Sequence, residues 1–152
     1  MGAFYLECPH FTYYLPPILM KRLPHLLFAL LFIIYFLCYQ GVLSHVIYYH
    51  EQHHLFLFSK YFLKQIHTEG LLSYLTDFII QFFYMPALGS AILAGILAGI
   101  YLLTHYNIKK ITGQPDILQL SLIPSVSLFI YTLPVDHSLT LIIGVFLGLL
   151  IL

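Results

Sequence analysis

An all-α, polytopic transmembrane fold is the architecture the sequence predicts, with three full spans, a truncated fourth, and interfacial helices in the first outer loop. Three observations carry it. The chain of 152 residues is 61% hydrophobic and 8% charged. An average soluble domain is about 25% charged, so the polar groups here are too few to cover a soluble surface. Charge-free runs approach the roughly 20 residues that cross a bilayer core. Pro86 and the polar clusters between runs mark where the chain turns.

Six basic and six acidic residues balance. That leaves no polybasic face for nucleic acid, and the lipid bilayer is the partner the composition requires. Cys8 and Cys38 are separated by an expected membrane boundary, which argues against a disulfide or a cysteine metal site. Leu6 stands where N-myristoylation needs Ser or Thr. No small-x-small cleavage site follows the first apolar run, so that run reads as a retained anchor rather than a signal peptide.

Residues 1–24 form a cytoplasmic leader. Pro9, Pro16, Pro17 and Pro24 prevent a continuous helix there, and Phe11, Tyr13, Tyr14 and Leu15 suit a lipid interface. Residues 26–43 carry no charge, with Pro24 near the first turn, and make the first span. The apolar region 70–105 is too long for one span, and Pro86 divides it unevenly. Residues 87–105 cross. Residues 71–85 rise only about 22 Å as a helix and include Asp77, so they lie along the interface or re-enter. Ala91, Gly95 and Gly99 recur at four-residue spacing and admit close approach of another helix.

Lys109, Lys110, Gly113 and Pro115 then make a short loop that ends at Asp116. Residues 117–133 form a third span kinked at Pro124, and residues 134–137 a tight connection. Residues 139–152 begin a fourth span, with Gly144 and Gly148 four apart. It stops without a polar exit. The expectation is a fragment of a longer protein whose C-terminal part supplies helix-packing partners. The pairs Lys21, Arg22 and Lys109, Lys110 flank the first two spans on one side, which the positive-inside rule assigns to the cytoplasmic face of an inner membrane. Residues 44–84 then face outward, Lys60 and Lys64 counting against that orientation.

That outward stretch holds three of the six carboxylates and five of the nine histidines. Residues 50–54, His-Glu-Gln-His-His, match the pattern in which His50 and His54, one helical turn apart, bind zinc while Glu51 activates a water. Glu69 or Asp77 is then the third ligand, and a divalent metal is the one cofactor this pattern suggests. The alternative is a set of interfacial histidines at the mouth of a helix. If residues 45–67 form one helix, Glu51 shares a face with Phe58 and Phe62, where a carboxylate is costly unless paired or functional. If that helix breaks near His54, Glu51 simply meets water. Along residues 71–85, Ser73, Asp77, Gln81 and Tyr84 fall within about 80° on a helical wheel, a polar stripe that faces protein or a wet cavity.

The runs YHEQHHLFLFSKYF, GLLSYLTDFIIQFFY and SLIPSVSLFIYTL, with the small-residue helix and basic loop between the last two, resemble a family of uncharacterised bacterial multi-pass membrane proteins, longer than this chain. The resemblance covers roughly residues 25–150, and its most specific pieces are Glu51-Gln52 and the run 81–84. More coarsely, the layout resembles membrane glycosyltransferases that use a polyprenyl-phosphate sugar donor. That resemblance implies a catalytic base or metal partner soon after the first span, where Glu51 stands. His50 occupies the place where such enzymes often have a second carboxylate. On this reading Glu51 and Asp77 are catalytic, Gln52, Gln81 and Tyr84 bind substrate, and the donor is a lipid-linked sugar. A zinc protease through His50 and His54, and a non-enzymatic membrane scaffold, are the alternatives.

Overall fold

The computed structural model describes residues 17–44, 47, 70–113, 116, 119–134 and 138–152, with side chains from Arg22 onward. Among these residues the chain is all helical. In order come α1 (Pro17–Cys38), a π segment (Tyr39–Leu43), α2 (Leu71–Ile80), a 3₁₀ turn (Gln81–Tyr84), α3 (Pro86–Thr112), α4 (Leu122–Tyr131) and α5 (Thr140–Ile151).

Two stretches, Arg22–Leu43 and Pro86–Thr112, are long and apolar enough to cross a membrane, whereas Leu71–Tyr84, Leu122–Tyr131 and Thr140–Ile151 are apolar but shorter. Helix α1 starts earlier than the proline count suggests. A proline is tolerated in a first turn because its missing N–H has no acceptor there, so Pro17 opens the helix, which then runs on through Lys21, Arg22 and the buried Pro24. The expected break before Leu26 is therefore absent. Beyond Cys38 the helix loosens into the π segment, and Tyr35, Tyr39, Leu43 and Ile47 are all buried at four-residue intervals. In a regular α-helix residues four apart drift by about 40° per step. The wider π turn offsets that drift and keeps one face inward.

Helix α3 is the hub, and α1 packs on it more extensively than any other element does. Pro86 opens α3, as the sequence predicts, and forces Met85 into an extended conformation (φ −106°, ψ 98°) that ends the preceding turn. At the other end Gly113, at φ 67°, takes the left-handed position, and its N–H donates to Lys109 O at 3.0 Å, while Lys109 and Lys110 face the negative pole of the helix. Gly95 and Gly99 of α3 receive side chains rather than a neighbouring backbone. A Cβ at Gly95 would meet Phe32 of α1 at 3.8 Å, and one at Gly99 would meet Phe146 of α5 at 3.0 Å. The sequence pattern thus locates the contacts, but phenyl rings fill them. Gly144 of α5 similarly faces Leu72, and α2 lies along α5.

Helix α4 differs most from the sequence reading. It has ten residues, about 15 Å, instead of the seventeen of the run 117–133. The Asp116 carboxylate accepts hydrogen bonds from Leu120 N (2.9 Å) and Ser121 N (3.0 Å), and Gln119 sits at φ 51°, so the backbone before Leu122 is committed to a turn. Pro124 falls in the first turn of α4, where no N–H is required, and needs no kink.

Hydroxyl groups join α4 to α1 and α3. Ser125 donates to Leu97 O (2.8 Å), so its oxygen accepts from Tyr35 OH (3.0 Å). Thr132 donates to Phe129 O (2.7 Å) and accepts from Tyr39 OH (2.6 Å). The Tyr35 ring also stacks on Phe129, with centroids 4.6 Å apart. Replacing Ser125 by Ala leaves Tyr35 OH and Leu97 O without this partner, at an expected cost of about 1–2 kcal/mol. Equilibrium unfolding in detergent, with Ser127→Ala as an exposed control, checks it. Equal stability of the two variants refutes it.

Candidate functional site

Two polar sites emerge among the described residues. The first is the one the sequence points to. Gly70, at φ 92°, opens α2, and six residues of helix later Asp77 is buried beside Thr76, whose hydroxyl donates to Leu72 O. The helical stripe does not continue. After Ile80 the backbone tightens into the 3₁₀ turn, whose rotation per residue differs from that of an α-helix. Asp77 is 6% exposed, Gln81 half-buried, and Tyr84 75% exposed. The turn is held because Phe83, buried, crosses directly over Gly89. The turn leaves Tyr84 facing outward, while Asp77 in the helix before it is buried. His50, Glu51, Gln52 and His54 lie outside the described residues, as do Glu69 and most of the expected interfacial helices. Among the described residues no three His, Cys, Asp or Glu side chains gather at metal-holding distance.

The second site was missed by the sequence reading. Tyr101 and His105 are one turn apart on α3, both buried, and Asp116 and Gln119 lie against them. Tyr101 OH donates to Gln119 Oε1 at 3.3 Å, and His105 Nδ1 lies 3.8 Å from Asp116 Oδ2. The Asp116 side chain is 2% exposed. Burial alone would raise its carboxyl pKa, but hydrogen bonds from Ser121 and Leu120, with His105 nearby, outweigh burial and hold it below the usual carboxylate range. His105 Nδ1 and Ser121 Oγ are buried without a hydrogen-bond partner. The signal available in the sequence was an i, i+4 Tyr-His pair at the end of a span followed by an acid; a run-length reading assigns such residues to a boundary and stops there.

Neither the curated proteins nor the solved structures contain a match to this chain. Residues 18–152 match a family described as a family of unknown function, DUF6057. The match takes in all but the first residue of α1, every later helix among the described residues, and both polar sites, and the chain belongs to that family.

Proposed function

We propose that the chain is a multi-pass protein of a cytoplasmic membrane that acts on a lipid-linked sugar, with Asp77 and Glu51 as the proton-exchanging carboxylates of one outward-facing cavity. The observation that supports this reading is the burial of Asp77 in a short apolar helix, since an ionisable group in such a setting is costly and marks function by default. The exposed apolar face of α1, with Leu26, Leu30, Ile33, Ile34 and Leu37, suits lipid. Gln81 and Tyr84 follow Asp77 at the turn and are the proposed substrate contacts. The sugar donor is taken from the layout of residues 25–84 rather than from a contact.

The hydroxyl bonds from Tyr35 and Tyr39 to α4 favour a second reading, a non-enzymatic helix scaffold. The test separates the two. Asp77→Asn and Glu51→Gln keep side-chain shape and remove charge, so membrane insertion and abundance stay near wild type while the cell-envelope glycan profile changes, more for Glu51→Gln. An unchanged profile at normal abundance leaves the scaffold. Stoichiometric zinc in the purified protein, lost in His54→Ala, replaces the transferase with the metalloprotease through His50 and His54.

A further inference from the structure

Histidine chemistry depends on which ring nitrogen is held and which is left free. In His105 the enclosed nitrogen is Nδ1. It is buried, it has no hydrogen-bond partner, and it faces Asp116 Oδ2 across 3.8 Å. The His105 side chain as a whole is 11% exposed, so the open surface belongs to its other side-chain atoms. Tyr101 and Tyr106 flank the ring, with centroids 6.3 Å and 6.1 Å away, and fix its plane. Asp116 is itself anchored by the N–H groups of Leu120 and Ser121 and cannot swing away without losing both bonds.

We propose that His105 and Asp116 form a proton-accepting dyad in which Asp116 holds the Nδ1–H tautomer and His105 presents Nε2 to a hydroxyl-bearing ligand at this end of α3. The gap of 3.8 Å exceeds a hydrogen bond, and such contacts are commonly long before a ligand arrives and shorten afterwards. Nε2 accepts the hydroxyl proton, the electron pair stays on the ligand oxygen, and the imidazolium charge formed faces the Asp116 carboxylate. Asp116 is a positioning residue, acting through His105. Gln119, pinned by Tyr101 in a left-handed conformation that a non-glycine residue seldom adopts, holds the turn that carries Asp116. This site is separate from Asp77 in sequence and in helix, and does not rest on the sugar-transfer reading.

The test needs no knowledge of the ligand. The full chain in detergent micelles is treated near neutral pH with diethyl pyrocarbonate, which acylates a basic imidazole nitrogen with loss of ethyl carbonate, and each histidine is followed by peptide mass spectrometry. His25, exposed on α1, is the internal reference. His105 is expected to label despite its burial, and its rate relative to His25 to fall about tenfold in Asp116→Asn, by analogy with the lower end of the loss when the carboxylate behind a metal-ligating histidine is removed. Asp116→Glu restores part of the rate. Absence of labelling at His105 while His25 reacts, or an unchanged ratio in Asp116→Asn, overturns the proposal. If Asp116→Asn loosens the turn and the ratio rises, Asp116→Glu decides: a ratio near wild type upholds the dyad, and a ratio matching Asp116→Asn refutes it.

Discussion

Gly89→Ala is expected to destabilise the protein by about 1–2 kcal/mol net, although alanine is the better helix former. A Cβ built at Gly89 lies 2.6 Å from Phe83 Cγ and 2.8 Å from Phe83 Cα. The ring alone could rotate, but the second contact is backbone, and moving it displaces the turn that joins α2 to α3. Phe83 is 1% exposed, so its side chain is enclosed by neighbouring groups rather than free to move into solvent. Overpacking of this kind typically costs about 1–3 kcal/mol and outweighs the roughly 1 kcal/mol that alanine gains over glycine in a helix. Gly148 is the matched control. A Cβ there meets nothing within 4 Å, so Gly148→Ala should stabilise α5 by up to about 1 kcal/mol. Opposite signs for one substitution in two helices, read from unfolding midpoints in detergent, establish the close approach. Stabilisation by Gly89→Ala would show that Phe83 does not cross Gly89.

Asp116→Ala is expected to cost about 2–3 kcal/mol, because it strands Ser121 N–H in a buried position and removes the partner of Leu120 N–H. The same carboxylate gives the protein an acid dependence whose sign follows from its pKa. The folded value lies below the usual carboxylate range, so the contribution of Asp116 is fully present above the unfolded value and is lost as the pH falls through the folded one. Asp116→Asn keeps an acceptor for the turn but has no proton to gain. On lowering the pH from neutral through about pH 3, wild type should therefore lose more stability than Asp116→Asn. Parallel curves for the two proteins would remove the carboxylate from the acid response.

Much of this architecture is legible in the sequence because prolines and apolar runs act locally. Pro86 opens α3 where expected, and the helix over Thr140–Ile151 lies inside the expected run 139–152. What run length does not encode is a side chain that captures backbone N–H groups at a distance. Run length places Asp116 at the end of a loop and starts the next span at residue 117, with no role for the carboxylate toward backbone N–H groups. The carboxylate instead bonds those four and five residues on, and α4 begins at Leu122. Asp77 was legible as a polar residue in an apolar helix, yet its relation to Tyr84 was not, because a helical wheel assumes 100° per residue past Ile80, where the backbone changes type. The His105 site was invisible for a related reason: its two halves, His105 with Tyr101 on α3 and Asp116 with Gln119 beyond its end, belong to different elements.

The π segment gives this chain a tolerance that a regular helix lacks. An i→i+5 turn is geometrically an α-helix with one residue too many, so Tyr39–Leu43 absorbs a surplus residue without passing the error on to Ile47. Seen as a change in chain length, Gly41, exposed and with nothing within 4 Å of a built Cβ, is the residue the helix can lose at least cost in packing. Homologues that are one residue shorter between Tyr39 and Leu43 would then carry a continuous α-helix there, with the buried face beyond it moved by one position.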